Sequence, residues 1–398
     1  MLKFVEDLLQ GAPVEWRTLG EVFETRNGYT PSKKEEKYWR GGTIPWFRME
    51  DLRTSGTLLS TAIQRITPEA IRGKGLFCAN SIIMATTATI GEHALLLVDA
   101  LANQRFTNFR IRETYEKCLL PKFAYYYFYI LDAWCLENTY IGSFPSVDVE
   151  KLKLQKFPIP PFHIQEKIVA VLDKFTALER KLETKLGTEL VLRQKQYEYY
   201  RNKLLTFGDE VERKRLGNIV AIKRGKRLVK KELETSGNFA VFQNSIKPLG
   251  FYSASNVNAD TTFAICAGSA GEIGYSHHPF WAADDVCYFI PNDTLRSKFL
   301  YYILLNQQNT IKSQVHRAII PRLPRTVLED FIIPLPPLSV QEKIVEILDK
   351  FSELEAKLGT ELVLRQKQYE YYRNKLLTFG EEVEWRQLGE IGEIRMCK

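Results

Sequence analysis

The side chains of this 398-residue sequence with the plainest chemical purpose are guanidinium, ammonium and carboxamide groups gathered in turn-like stretches. Such groups carry the paired donors and acceptors that read base edges in a duplex: Arg or Lys suits guanine, and Asn or Gln suits adenine. In the N-terminal part they are Arg26 and Asn27 with Tyr29 and Thr30, then Arg48 and Arg53, then Asn103, Gln104 and Arg105. Further along come Lys223, Arg224, Lys226 and Arg227, then Gln243 and Asn244, then His277 and His278, and finally Arg317 and Arg322. All are candidate DNA contacts, and a large share of them is expected at phosphate, which positions a protein without reading sequence. The stretch from Arg213 to Lys231 holds nine Lys or Arg and no acid, so it is the strongest candidate for a phosphate-facing block.

Other chemistries find no support. A net charge of +7 favours a polyanionic partner over an acidic small substrate. There is no G-x-x-x-x-G-K-[ST] loop for ATP. PIPPF at 158 to 162 superficially matches the Asn/Asp-Pro-Pro-Tyr/Phe motif of amino-methyltransferases, but Ile159 stands where a polar group must bind the target amine, and PLPPL at 334 to 338 fails in the same way. GSAGEIG at 268 to 274 lacks the amphipathic helix a dinucleotide loop requires and reads as a strand turn. Six scattered cysteines and five histidines show no zinc spacing, and adjacent His277 and His278 on a strand would point to opposite faces, so no metal or catalytic residue is assigned. The cysteines are expected to be reduced and mostly in cores. A nuclease or methyltransferase with a degenerate motif and a coiled-coil scaffold binding only protein are the rival readings.

The elements that must position these groups are organised by repetition. LGTELVLRQKQYEYYRNKLLTFG occurs at 186 to 208 and, unchanged, at 358 to 380. Each copy follows a matching stretch, PIPPFHIQEKIVAVLDKFTALE from Pro158 and PLPPLSVQEKIVEILDKFSELE from Pro334. A shorter motif recurs as VEWRTLGEV at Val14, VERKRLGNI at Val211 and VEWRQLGEI at Val383, with Gly28 and Gly225 nine residues past the leucine in the first two. The proline pairs forbid helix upstream, and the apolar residues after them fall three or four apart, which predicts one long helix per copy. Leu190, Tyr197 and Leu204, repeated as Leu362, Tyr369 and Leu376, are seven apart, the spacing of a coiled-coil seam. Gly187 and Gly359 predict a local bend or break, and Gly208 and Gly380 stand where the helices should end. Off the seam, Glu198, Tyr199, Glu370 and Tyr371 are candidate subunit-docking residues.

Between the helical units lie short strand-like runs separated by turns, each set with one aromatic, helix-like run, FAYYYFYIL near Phe123 and KFLYYILL near Lys298. The expected fold class is α+β or α/β: two globular α/β domains and two long helices forming an antiparallel coiled coil, in a pseudo-twofold cyclic arrangement. The expected boundaries are a first recognition domain at 1–157, a helical region at 158–210, a second recognition domain at 211–333, a second helical region at 334–382 and the start of a truncated third repeat at 383–398. No apolar run approaches the roughly 20 residues of a membrane span and the N-terminus has acids where a signal peptide would be apolar, so a cytoplasmic protein is expected.

This order of variable domain, constant helices, variable domain, constant helices resembles the specificity (S, HsdS-type) subunits of type I restriction-modification systems over essentially the entire chain. GGTIPWFRMEDL from Gly41 and ATIGEHALLLVDALANQRF from Ala88 look like the family's first target recognition domain, GSAGEIGYSHHPFWAADDVCYF from Gly268 like a variant of the second, and QEKIV…LDKF at Gln165 and Gln341 like its helical regions. The resemblance implies that each recognition domain reads one half of a split site in double-stranded DNA, while the helices set the spacing and dock two methyltransferase subunits, through which motor-nuclease subunits join. S-adenosylmethionine and ATP with magnesium are then expected on those partners, and no cofactor on this chain. The first helical unit exceeds the second by four residues, near RKLETK before Leu186, a helical turn of about 6 Å.

Overall fold

The computed structural model describes residues 13–142, 144–234, 236–316 and 319–379. The third copy of the short motif, Gly380, Cys397 and Arg317 lie outside the described residues. Four helices organise the chain: α1 (Pro121–Glu137), α2 (Phe162–Leu204), α3 (Ser297–Asn306) and α4 (Leu338–Leu377). The aromatic runs and the segments after the proline pairs thus form helices as their composition predicts. α2 and α4 run uninterrupted through Gly187 and Gly359, which corrects the expected break. A Cβ at either glycine would meet nothing within 4 Å, so the cost of glycine there, about 1 kcal/mol, is carried by the rest of a long helix. α2 ends at Leu204, before Gly208.

The chain divides into two compact units: residues up to Glu183 together with those from Val363, and Thr184–Leu362. Each unit therefore contains one mixed α/β domain and one half of each long helix. In the first, a five-stranded sheet takes the order Phe23–Asn27, Phe106–Ile111, Ile82–Ala85, His93–Leu96, Leu58–Leu59. Beside it, Ile44–Phe47 pairs antiparallel with Gln64–Ile66 and parallel with Leu101–Ala102. In the second, Val220–Arg224, Val286–Pro291, Thr261–Ile265 and Ile273–Ser276 form a four-stranded sheet. There Phe239–Phe242 pairs antiparallel with Gly250–Tyr252 and parallel with Phe280–Ala282. The two domains share little sequence yet repeat one topology.

α1 is apolar nearly all round because it is covered twice, by the sheet and by α2. Phe23, Phe109, Phe123, Phe128 and Phe157 are buried in that core, and His93, also buried, pairs with Asp132 and donates to the Tyr125 carbonyl at 2.8 Å. Tyr126 Oη and Lys122 Nζ both reach Asp173 of α2 at 2.7 Å. The second unit repeats the arrangement: Lys298 Nζ reaches Asp349 of α4 at 2.8 Å and Tyr302 Oη at 2.5 Å.

The halves of α2 and α4 within each unit run antiparallel. In the first, Thr176 Oγ1 meets Tyr369 Oη at 2.7 Å, Phe175 lies 6.5 Å from Tyr372 between ring centroids, and Gln366 donates to Glu183 at 2.8 Å. In the second, Phe351 lies 6.5 Å from Tyr197 and 5.3 Å from Tyr200. These are the same repeat positions used twice. Among the described cysteines, Cys135 and Cys287 are buried, Cys266 is half-buried, and Cys78 and Cys118 are exposed, so the core placement holds for only part of the set.

The glutamine of each QEKIV motif is fully buried and uses both ends of its carboxamide. Gln165 Oε1 accepts the Leu120 N–H at 2.9 Å, and Nε2 donates to the Cys118 and Pro160 carbonyls, each at 2.7 Å. Gln341 does the same for Arg296 (2.9 Å), Thr294 (3.0 Å) and Pro336 (2.8 Å). Gln165→Ala leaves one buried N–H and two carbonyls without partners, each worth about 1–3 kcal/mol. Chemical denaturation should show a loss of about 3 kcal/mol or more for unit one; a change within about 0.5 kcal/mol would contradict the clamp.

Candidate nucleic-acid interface

The strand Phe23–Asn27 ends at Gly28, whose N–H donates to the Phe106 carbonyl at 2.9 Å. A Cβ on Gly28 would sit 2.3 Å from the carbonyl oxygens of both Ala102 and Asn103. Only glycine lets the backbones approach so closely, and the turn that follows lies against residues 103 to 105. Tyr29 N–H donates to Ala102 at 2.9 Å and Thr30 Oγ1 to Gln104 Oε1 at 2.5 Å. Asn27 accepts from Thr107 at 2.9 Å, and Asn103 Oδ1 accepts the Arg105 N–H at 3.1 Å. Asn27, Tyr29, Thr30, Asn103, Gln104 and Arg105 thus come together at one end of the sheet.

Other candidates in this domain have structural partners. Arg26 Nη2 donates to the Leu76 carbonyl at 2.7 Å and its guanidinium lies 4.7 Å from the Phe77 ring; burial lowers its pKa. Tyr29 Oη donates to Ala70 and accepts from Arg72 at 2.7 Å. Arg48 precedes the short helix Met49–Ser55, pairs with Glu50 at 2.6 Å and leaves Nε buried without a partner. Arg53 lies 3.9 Å from Glu92.

Gly225 repeats Gly28. It donates to Val286 at 2.9 Å, and a Cβ would lie 2.2 Å from the Ala282 and Ala283 oxygens. Arg224 Nε donates to the Asp284 carbonyl at 2.5 Å and Lys226 N–H to Ala282 at 2.9 Å; both side chains and that of Arg227 are exposed. Gln243 and Asn244 follow the strand Phe239–Phe242, and Asn244 accepts the Ser269 N–H at 2.8 Å. Arg322 bridges Ala267 on the same side. Arg224, Lys226, Arg227, Gln243, Asn244 and Arg322 are brought together.

His277 and His278 are not. They follow the strand Ile273–Ser276 on a bend at the opposite end of the sheet, where His277 lies 3.2 Å from both Asp260 and Lys298. The basic run also divides. Arg213–Arg215 forms a two-stranded ladder with Ile332–Pro334, with Lys214 paired to Glu212 and Arg215 to Asp330, each at 3.3 Å. Lys223 lies over a groove of about 430 Å³ with Arg215 and Arg325, and only the residues from Arg224 onward belong to the glycine turn. Among the described residues no group of three or more His, Cys, Asp or Glu could hold a metal ion.

Comparison with known proteins resolves what carries two such sheet ends. The model of the type I restriction modification DNA specificity domain matches residues 13–190 and again 208–363. The chain belongs to this family of specificity subunits. It is 45% identical over 237 residues to the type I restriction enzyme EcoprrI specificity subunit of Escherichia coli, covering 57% of this chain and 59% of that one. The chain thus spans little more than half the length of that relative. With a type I restriction enzyme specificity subunit of Haemophilus influenzae it shares 28% identity across 95% of this chain and 98% of the other. A chain from a structure of the type I R-M system, 17% identical, superposes with a TM-score of 0.66 over 92% of this chain and 97% of that one, which shows the fold.

In this specificity subunit the four candidate docking residues are all exposed. Tyr199 packs edge-on to Tyr200 at 5.3 Å with Lys203 above it, and Tyr371 repeats this with Tyr372 at 5.4 Å and Lys375. Sequence reasoning missed their apolar neighbours. Val191 and Leu192, and their copies Val363 and Leu364, are about half exposed, one and two positions off the coiled-coil seam. The repeat itself was the available signal, since it preserves these residues on an exposed face of each helix.

Glu198 and Glu370 also act inward. Burial first, and then Glu183 and Glu370, push the Glu179 carboxyl up to about 7 despite the opposing Arg373. Its repeat partner Glu355 is raised by burial and Glu198, and one of its oxygens is buried without a partner. A raised acid pKa means that folding favours the protonated form, so this contribution is present below pH 4.5 and is lost as pH rises through about 7. Glu179→Gln should therefore flatten the fall in thermal midpoint between pH 5 and 8 and leave the variant the more stable at pH 8. Parallel melting curves across that range would contradict this.

Proposed function

We propose that this specificity subunit is the non-catalytic DNA reader of a type I restriction-modification enzyme, each recognition domain contacting one half of a bipartite site. The observation that carries the reading is the duplicated glycine turn, which assembles Thr30, Gln104 and Arg105 in one domain and Arg224, Lys226, Arg227 and Asn244 in the other. Two domains of different sequence present the same sheet end with different donors and acceptors, as expected if each reads its own sequence in the major groove. The candidates are proposed at phosphate as well as at bases.

The exposed stripes around Leu192 and Tyr199 and around Leu364 and Tyr371 suit two copies of one partner, proposed to be methyltransferase subunits, with motor-nuclease subunits joining through them. S-adenosylmethionine and ATP with magnesium would be held by those partners. No helix among the described residues is long and apolar enough to cross a membrane, and a cytoplasmic site of action is proposed. The helices are proposed to set the gap between half-sites, consistent with the four extra residues of the first unit falling where the two compact units meet along the sequence of α2.

Methylome sequencing of a host carrying this subunit with its methyltransferase should return an interrupted, two-part motif. Deleting residues 182–185 removes about one helical turn, near 6 Å, and should keep both half-site sequences while shortening the gap by about one or two base pairs. An uninterrupted motif would defeat the bipartite reading. Full methylation at an unchanged gap would defeat the ruler.

A further inference from the structure

The glycine-turn end of each domain also carries an apolar projection that the polar contacts do not explain. In the first domain, Thr139–Ile141 pairs antiparallel with Pro145–Val147, and Tyr140, Ile141 and Phe144 are 74%, 84% and 69% exposed. Backbone bonds fix this hairpin to the reading turns: Val147 N–H to Thr86 at 2.9 Å, Ala88 N–H to Pro145 at 2.8 Å, and Thr86 N–H onward to Arg105 at 3.0 Å.

The second domain shares little sequence here beyond the proline and the apolar residue two positions after it (Pro145 and Val147, Pro321 and Leu323), yet it makes the same three bonds. Leu323 N–H donates to Cys266 at 2.8 Å, Gly268 N–H to Pro321 at 3.2 Å, and Cys266 N–H onward to Asp285 at 2.7 Å. Ile319 and Ile320 are 104% and 54% exposed. By this correspondence Phe144 and Ile320 are the same position, each an exposed apolar residue directly before the proline that ties it to the reading turn.

A single exposed apolar side chain is ordinary. Two at one structural position, in segments that share little besides the proline after them and lie beside Arg105 and Arg322, require a shared cause. A protein partner is a poor fit, because a stable interface needs about 800 Å² on each side and each tip offers only two or three apolar side chains. Stacked bases suit them, since Phe and Ile are among the side chains that enter a base step, partly unstack it and kink the duplex. We propose that Phe144 and Ile320 are wedges, one per half-site, that insert between base pairs and bend the DNA so that the polar turns reach base edges. This rests on the reading that each domain binds one half-site.

The test uses the full chain with its methyltransferase and a duplex bearing the methylome-defined site, with 2-aminopurine placed in each half in turn. The parent should raise fluorescence in both halves and show a bend of roughly 20° or more by circular-permutation electrophoresis. Phe144→Ala should abolish the rise in the half read by the first domain only, reduce the bend and weaken binding on the order of tenfold, while Phe144→Leu keeps all three. Ile320→Ala should do the same for the other half, and Ile290→Ala, exposed at the far end of the sheet, should change nothing. Sequence-specific binding by Phe144→Ala and Ile320→Ala with undiminished fluorescence and bend would overturn the wedge. Failure of the underlying reading looks different: the parent would not bind, or joint loss of the Lys226 and Arg227 side chains would leave its affinity intact.

Discussion

A recognition domain is useful only if its orientation on the long helix is fixed, and one buried carboxamide fixes it twice in this chain. Gln165 and Gln341 each join three backbone groups from the loop before the aromatic helix and from the proline pair before the long helix. The proline pair supplies a free carbonyl because no helix can run through it, and the aromatic helix supplies a free N–H because the first turn of any helix leaves its donors unpaired. A carboxamide meets both needs at once, with two N–H donors for the carbonyls and an oxygen acceptor for the N–H on one neutral side chain. The lysine, tyrosine and aspartate contacts about two turns further along the long helix, such as Lys122 and Tyr126 on Asp173, add orientation to an attachment that the glutamine has already made.

With that attachment repeated, the domains can diverge in sequence while holding their contact surfaces in one place. The glycine turns at 28 and 225 need only carbonyl oxygens and the absence of a Cβ, so the residues around them are free to vary. The same economy appears in the segments around Pro145 and Pro321, which are tied to the glycine turns by the same three backbone bonds. Specificity can therefore change through side chains on a fixed frame, and the identical helical segments keep their outward stripes unchanged.

Much of this frame was legible before any coordinates. The duplicated segments located both long helices, the proline pairs marked their starts, and the aromatic runs near Phe123 and Lys298 were helices because they are apolar on every side. Gly187 and Gly359 misled, because a single glycine costs too little to break a helix of 43 or 40 residues that is held at both ends. The candidate interface was legible in its residue types and less so in its grouping. Arg213 to Lys231 looks continuous along the chain, yet Arg213–Arg215 belong to one ladder and, past the short helix Leu216–Ile219, Lys223 and Arg224 belong to another. Arg26 looks like a base reader until the Leu76 carbonyl and the Phe77 ring are seen beside it. The paired apolar tips were legible only in part: Pro145 and Pro321 each stand 15 residues before a proline pair, but the exposure of the tips and their ties to the glycine turns exist only in the fold.

The central claim is that each domain reads its own half of the site from its own sheet end. The most direct measurement is methylome sequencing after residues 211–333 are exchanged for the corresponding domain of another specificity subunit. The account predicts that one half of the methylated motif changes and the other is retained base for base. A change in both halves, with the hybrid folded and methylation efficient, would contradict it.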